Sequence, residues 1–522
     1  MDADHRPETV PQVLDLAAQQ FGDREAIVDG EARLTFIGLR DSARRTARAF
    51  IAAGVEPGDR VAIWAPNRLE WVLALLGTHL AGAAVVPVNT RFKGREAAYA
   101  IRRSRAACLV LTGRFLDADY LGMLAPFRGE LQDLERVIVL GQDGPDGWTA
   151  FLDGAATASD DEVAVRASAV APTDVSDLMF TSGTTGAPKA VVAGHGQTVR
   201  AYDEWSRLVG LAEGDRYLVV NPFFHSFGYK AGLLACLLRG ATIIPEAVFD
   251  ARAVAQTVGR EAVSVLPGPP TLFHSLLAQQ GDWQPQSAPL RLAITGAANV
   301  PTELIFRMRD ELGFEDVLTG YGLTEATGVV STCRAGDEAE RVSRTCGSPL
   351  PGVEVKVVGD DGTELPVGTP GELLVRGYNV MQGYFEEPDR TAEAITPEGW
   401  LRTGDVAVID GHGYISIVDR KKDMFIVGGF NAYPAEIENL FGQHPDVAQV
   451  AVVGAPDERL GEIGVAFVVP APGTRLDESA LVAWCRENLA NYKVPRRVHI
   501  VEGLPTNASG KVLKHELRAR AI

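Results

Sequence analysis

The sequence predicts an α/β fold: a large N-terminal domain of parallel βα-layered sheets with an antiparallel β subdomain, then a small α+β C-terminal domain. Three observations predict it. From Arg60 to residue 295, short apolar runs alternate with stretches of helical period, the rhythm of parallel strands covered by helices. From about residue 346 the pattern changes to period two, in Val353–Val358 and Gly371–Gly377, with Asp361-Gly362 as a turn between them, which is antiparallel β structure. The charge run Asp419-Arg-Lys-Lys-Asp423 then precedes a compact segment of its own. Domain boundaries of 1–421 and 422–522 follow. At 522 residues the chain is too long for a single core.

The elements are read in order. An apolar stripe in Val13–Gln20 predicts a first helix, residues 26–36 a hairpin around Asp29-Gly30, and Leu39–Ala53 a second helix stopped by Gly54. Strands are expected at Arg60–Trp64, 83–88, 107–111, 136–140, 216–220, 241–244, 263–266 and 292–295, and helices at Glu70–Ala81, 196–208, Ala231–Leu238 and 302–312. Residues 141–174 are acidic and weakly patterned and read as a loop. After the boundary come a helix at Pro434–Phe441, strands at Val447–Val453 and Val465–Val469, a helix at Glu478–Leu489 and a terminal basic helix.

Composition narrows the function. A net charge of −18 argues against nucleic acid or anionic lipid as the main partner. Five scattered cysteines without metal-ligand spacing suggest reduced thiols that fill apolar space in a cytoplasmic protein. The N-terminus lacks a signal-peptide pattern, and the longest uncharged run, Trp71–Thr90, is interrupted by Gly77, Gly82 and Pro87. No membrane anchor is expected.

The chemistry centres on Thr181-Ser-Gly-Thr-Thr-Gly-Ala-Pro-Lys189, which follows the strand-like Val175–Phe180. Glycines expose backbone N–H groups, and hydroxyls with one lysine add donors and charge, a composition suited to a polyphosphate. It is not a Walker A loop, because two residues rather than four separate Gly183 from Gly186, and Ala190 follows Lys189. Downstream, Phe223-Phe-His-Ser-Phe-Gly228 sets three aromatics and a histidine before an apolar helix. Thr295-Gly-Ala-Ala-Asn-Val-Pro301 and Tyr321-Gly-Leu-Thr-Glu325 each follow a strand. They are expected on the carboxyl edge where open α/β sheets bind ligands, the same edge as the phosphate stretch. Thr403-Gly-Asp405 and Pro505–Lys511 are polar turns whose residues, taken singly, read as surface chemistry.

In order and spacing these stretches, together with Asp419–Gly429, resemble the adenylate-forming superfamily of acyl-CoA synthetases, luciferases and peptide-synthetase adenylation domains. The resemblance runs from the first helix to Lys511. One departure is Ala190, where the family usually has glycine. The resemblance implies a two-step reaction: a carboxylate attacks the α-phosphate of ATP to give acyl-adenylate and pyrophosphate, and the thiol of coenzyme A then displaces AMP. It implies that Thr181, Ser182, Gly183, Thr184, Thr185, Gly186 and Lys189 hold the β- and γ-phosphates, that Glu325 ligates Mg²⁺, and that Thr324 bonds the α-phosphate. Tyr321 would stack on adenine beside Gly296, Ala297 and Ala298. Asp405 would accept from the ribose hydroxyls, with Arg420 nearby. Lys511 would serve adenylation and then leave as a mobile C-terminal domain turns about Lys422, bringing Gly428 and Gly429 to the site for the thiol step. His225 would position groups between the acyl pocket and the thiol tunnel.

Within the superfamily the chain reads as an AMP-forming acid–thiol ligase. Amino-acid activators place an aspartate near the aromatic motif, and this motif has no carboxylate. Asn221–Gly232, with Val265–Pro270 and Thr295–Ala298, is similar to actinobacterial ligases of steroid catabolism, which activate the propanoate side chain of a methylhexahydroindanedione. Medium-chain fatty acids, aryl acids and, further off, amino acids stay open as substrates. Tyr229, Lys230 and Gly268 are the pocket residues singled out, with Lys230 expected to be solvated or to meet a polar ring oxygen of the acid. The partners expected are a small carboxylic acid, ATP and coenzyme A, with no nucleic acid and no membrane anchor; a homodimer is left open.

Overall fold

The fold is seen in a computed structural model, which describes residues 6–181, 188–279, 290–296, 300, 302–420, 423–427, 430–457, 459–489, 491–507 and 511–521, the side chains of residues 419, 420, 430 and 431 excepted. Two large sheets carry the N-terminal part. The nine-stranded sheet runs, edge to edge, Ser348–Pro349, Ser331–Thr332, Asp316–Tyr321, Leu292–Gly296, Val265–Gly268, Arg216–Val219, Thr242–Pro245, Glu25–Asp29 and Ala32–Thr35. The seven-stranded sheet runs Gly383–Tyr384, Lys189–Gly194, Val175–Thr181, Ala84–Pro87, Arg60–Trp64, Cys108–Thr112 and Arg136–Leu140. Both are parallel in the middle and antiparallel at one or both margins. The parallel strands are apolar on both faces, as Val61, Ala62, Ile63 and Trp64 illustrate with no exposed surface, because helices cover each side.

A four-stranded antiparallel sheet follows, in the order Val353–Val358, Gly371–Gly377, Leu401–Ile409 and Ile415–Arg420. It is tied to the nine-stranded sheet by backbone bonds from Cys346 N to Ile415 O (2.7 Å) and from Ile415 N to Gly347 O (2.9 Å). The last part has its own five-stranded sheet, in which Gly461–Pro470 pairs with Val447–Asp457 and, in parallel, with Arg497–Ile500. Its two apolar clusters draw on residues 425–521 only, whereas the clusters of the first part end at Ile417. The parallel-sheet fold class read from the sequence is the observed one.

Three differences have local causes. Residues 141–174 contain the helices Trp148–Asp153 and Asp160–Ala169, the second capped by the Ser159 side chain accepting from Glu162 N; its first-turn acids suit a helix N-terminus. Lys189–Gly194 is a strand rather than a lead-in to the helix His195–Leu208. The expected helix from Ala231 begins earlier, as a π-helical turn over Tyr229–Leu234 that becomes α-helical at Ala235–Arg239. All five cysteines are free thiols, four of them buried, in keeping with their expected packing role. Among the described residues no helix is long and apolar enough to cross a membrane.

The helices Phe36–Ala52 and Leu69–Leu80 cross closely at Gly77, where a Cβ would sit 2.7 Å from Thr46 Cγ2 and 3.1 Å from Ala47 N. Alanine gains about 1 kcal/mol over glycine in an exposed helix, but overpacking costs about 1–3 kcal/mol. Gly77→Ala is therefore expected to lower the urea midpoint, against its helix propensity, and a raised midpoint would show that the crossing relaxes freely.

Candidate active site

The phosphate stretch joins an antiparallel hairpin: Val175–Thr181 enters it, Lys189–Gly194 leaves it, and Thr181 pairs with Lys189. This differs from the strand-to-helix turn of a Walker A loop. Ser182, Gly183, Thr184, Thr185 and Gly186 lie outside the described residues, as do Ala297, Ala298, Lys422, Gly428 and Gly429. At the exit, the Tyr99 hydroxyl donates to Pro188 O (3.1 Å). The Lys189 ammonium stands over the ring of Tyr384, 4.5 Å from its centroid. Tyr384 is in register opposite Val191 on the neighbouring strand.

The Tyr384 hydroxyl donates to Glu325 Oε1 at 3.0 Å. Burial and the nearby Glu325 carboxylate push the phenol's pKa well up, so it stays a proton donor. Glu325 sits on a short 3₁₀ turn, Thr324–Ala326, after the strand Asp316–Tyr321. The turn closes through Thr327 at φ 57°, and Glu325 O accepts from Met381 N (2.8 Å). One tyrosine thus touches both the cation of the phosphate stretch and the acid of the next motif. The sequence reading missed Tyr384; its only signal is the aromatic pair Tyr384-Phe385 after Gly383, and its contacts lie far away in the chain.

Tyr321 ends its strand and donates its hydroxyl to Asp405 Oδ2 at 2.5 Å. Asp405 is buried on the strand Leu401–Ile409 and pairs in register with Arg420. Gly296 lies beside Gly320, where a Cβ would come 2.9 Å from Gly320 O, so the ends of these parallel strands are pressed together. The phosphate stretch does not share their sheet edge, as the sequence reading had it. It belongs to the seven-stranded sheet, Tyr321 and Glu325 follow the nine-stranded sheet, and Asp405 comes from the four-stranded one.

His225 caps the turn Ser226–Gly228, and its Nδ1 accepts from Phe227 N (3.2 Å), which puts the proton of the neutral ring on Nε2. Burial and then the charge of Lys511 lower its pKa to about 4. Lys511 comes from the last part of the chain. It closes a small hairpin in which Lys511 N donates to Asn507 Oδ1 (2.9 Å) and Asn507 N to Lys511 O (2.8 Å). Lys230 is not solvated: it is 1% exposed and paired with Asp177 at 2.9 Å. Tyr229 is buried too, its hydroxyl 3.3 Å from His79 Nε2.

Among the described residues no three or more His, Cys, Asp or Glu side chains gather as a metal site. Glu325 and Lys189 share Tyr384, the carboxylate at its hydroxyl and the ammonium over its ring. That set fits Mg²⁺, which keeps waters and takes most of its other oxygens from a substrate's phosphates.

Residues 14–385 match the model of the AMP-binding enzyme family, and residues 436–511 match that of the AMP-binding enzyme C-terminal domain. The chain belongs to the AMP-binding enzymes. Two relatives, from Rhodococcus jostii and Mycobacterium tuberculosis, are each named 3-[(3aS,4S,7aS)-7a-methyl-1,5-dioxo-octahydro-1H-inden-4-yl]propanoyl:CoA ligase. Each is 48% identical to this AMP-binding enzyme; the first match covers 98% of this chain and 99% of the relative, the second 98% of both. An anthranilate CoA ligase solved with anthranoyl-AMP superposes with a TM-score of 0.88 at 27% identity, covering 100% of this chain and 99% of its own.

Two predictions follow from the geometry. Tyr384→Phe removes the bond to a charged carboxylate, worth about 1.5–3 kcal/mol, and keeps the ring under Lys189. It should raise the Mg²⁺ concentration for half-maximal ATP–pyrophosphate exchange about tenfold with an unchanged melting temperature; an unchanged Mg²⁺ response would sink the role. The second concerns pH. Burial lowers the pKa values of His79, His195 and His225, to about 4 in the last two. At His195, Asp174 opposes this effect and Lys230 adds to it. The unfolded chain then binds more protons between pH 6.5 and 4, so stability falls as pH drops through that window. His195 Nδ1 accepts from Val10 N (3.3 Å); His195→Asn offers an acceptor there and should flatten the decline of melting temperature with acidification.

Proposed function

We propose that this chain is an ATP-dependent, AMP-forming acyl-CoA ligase, and that its acid is the methyl-dioxo-octahydroindene propanoate named in its two 48% identical relatives. The observation that supports the chemistry is Tyr384, whose ring lies under Lys189 and whose hydroxyl bonds Glu325, together with the bonded pair Tyr321 and Asp405. The uncharged aromatic turn and the full-length similarity to the two relatives support the acid.

Two anions must meet for the first step, and catalysis consists largely of alignment and charge neutralisation. Lys189, with Thr181 to Gly186, binds the β- and γ-phosphates. Mg²⁺, when bound at Glu325, neutralises phosphate charge. Thr324 donates to the α-phosphate. Tyr321, its hydroxyl engaged by Asp405, presents a fixed face to adenine, with Gly296, Ala297 and Ala298 at the ring's other side. Asp405 accepts from the ribose, assisted by Arg420. Lys511 lies between the α-phosphate and the entering carboxylate and offsets their repulsion. His225, neutral at working pH, orients the carboxylate without exchanging its proton.

For the second step the unit 422–522 turns about Lys422, withdraws Lys511 and brings Gly428 and Gly429 to the thiol of coenzyme A; one cleft then serves two reactions in sequence. An aryl acid is the second reading, favoured by the fold-wide likeness to the anthranilate ligase. Both substrates place a rigid ring system against the aromatic turn.

The deciding experiment measures AMP, pyrophosphate and thioester from ATP over a panel of acids, with and without coenzyme A. The bicyclic propanoate is expected to turn over best, with thioester formed only when coenzyme A is present. Preference for benzoates or straight chains discards the bicyclic acid, and adenylation of amino acids without response to coenzyme A discards the ligase. Lys511→Ala is expected to lose adenylation by about 100-fold or more and to keep thioester formation from preformed acyl-adenylate.

A further inference from the structure

Lys230 belongs to a closed polar ring sealed inside the protein. Its ammonium pairs with Asp177 Oδ1 at 2.9 Å and donates to Thr198 Oγ1 at 3.3 Å. Ser176 Oγ donates to Asp177 Oδ2 at 2.7 Å and lies 3.2 Å from Thr198 Oγ1. None of the four is more than 1% exposed. A buried ion pair is weak evidence of stability, since apolar residues of similar volume often do as well or better. Its place in the fold is more informative.

Ser176 and Asp177 lie on the strand that enters the phosphate stretch. Thr198 is on the helix His195–Leu208, which follows the strand that leaves it. Lys230 is on the π-helical turn Tyr229–Leu234, directly after the aromatic turn that holds His225 and Phe227. The ring therefore joins the entering arm of the phosphate hairpin, and the helix after its leaving arm, to the segment that follows the aromatic turn. That segment has little freedom to move. A Cβ on Gly228 would lie 2.2 Å from Pro222 O, and one on Gly232 2.9 Å from Val219 Cγ1. Isolated π-turns inside α-helices recur at functional sites, where the extra residue redirects a side chain. Here the π-turn spans the residue whose ammonium meets the phosphate-loop strand.

We propose that Lys230 is a positioning residue for adenylation: through Asp177 it fixes the distance between the phosphate stretch and the aromatic turn, and so between the α-phosphate and the carboxylate that attacks it. This rests on the ligase reading above. The second step has no such need, because the acyl-adenylate already carries that distance in its covalent bond.

The test replaces the pair by apolar residues, Asp177→Leu with Lys230→Met, so that no charge is left buried alone. A second double variant, Asp177→Asn with Lys230→Gln, keeps hydrogen bonds and serves if the first does not fold. For a folded variant, kcat of ATP–pyrophosphate exchange is expected to fall about 100-fold, the scale of a 1 Å misplacement. KM for ATP should change little, and thioester formation from preformed acyl-adenylate should stay at the wild-type rate. Undiminished exchange would overturn the proposal, and so would equal loss of both half-reactions, which marks general damage. If the wild-type protein performs no acid-dependent exchange, it is the ligase reading that falls.

Discussion

The ladder on either side of Lys189–Gly194 is the constraint from which the cleft is built. This strand lies between Val175–Thr181 and Gly383–Tyr384, antiparallel to both. Its register with the first places Thr181 opposite Lys189, which closes the phosphate hairpin. Its register with the second brings the Tyr384 ring under the lysine. Residues 379–384 are in turn bonded to the turn that carries Glu325. Met381 N donates to Glu325 O (2.8 Å), Thr327 Oγ1 to Asn379 O (2.7 Å), and Asn379 Nδ2 to Val329 O (2.8 Å). A side-chain slip by one residue on the short edge strand would turn Tyr384 to the opposite face, and the lysine and the carboxylate would lose their common partner.

The electrostatics of the cleft oppose those of the chain as a whole. A net charge of −18 repels a polyphosphate at long range, so attraction must be local. On the proposed reading Lys189 and Lys511 would supply it, while burial holds His225 neutral. A protonated His225 would compete with Lys511 for the carboxylate and repel the lysine itself. With its pKa lowered to about 4, the His225 ring stays neutral at pH 7.

The sequence revealed the layered fold and the motifs because both are local. Parallel strands buried on two faces read as apolar runs, Gly296 and Tyr321 end such strands, and Glu325 follows one. Two kinds of feature stayed hidden. The strand Lys189–Gly194 is short, small-residued and continuous with a helix, so its ladder becomes visible only with Gly383–Tyr384 beside it. Partnerships across great sequence separation were also missed. Tyr384 meets Glu325 59 positions away, and Lys230, which composition would send to the surface, meets Asp177 in the core. A lysine stem passes as apolar contact once its charge finds a carboxylate, and no local pattern in the chain identifies that carboxylate.

The apolar clusters bear on how one cleft can host two chemistries. Among the described residues, those of the final segment contain none before Phe425 and those of the first part none after Ile417, so the described side chains of the two parts share no common apolar core. Several ion pairs of the final segment lie within it, Lys493 with Glu436, Lys514 with Glu438 and Arg518 with Asp423. A turn of this segment would carry its internal pairs along unbroken. Such a turn would exchange polar contacts for water, which costs far less than opening a core.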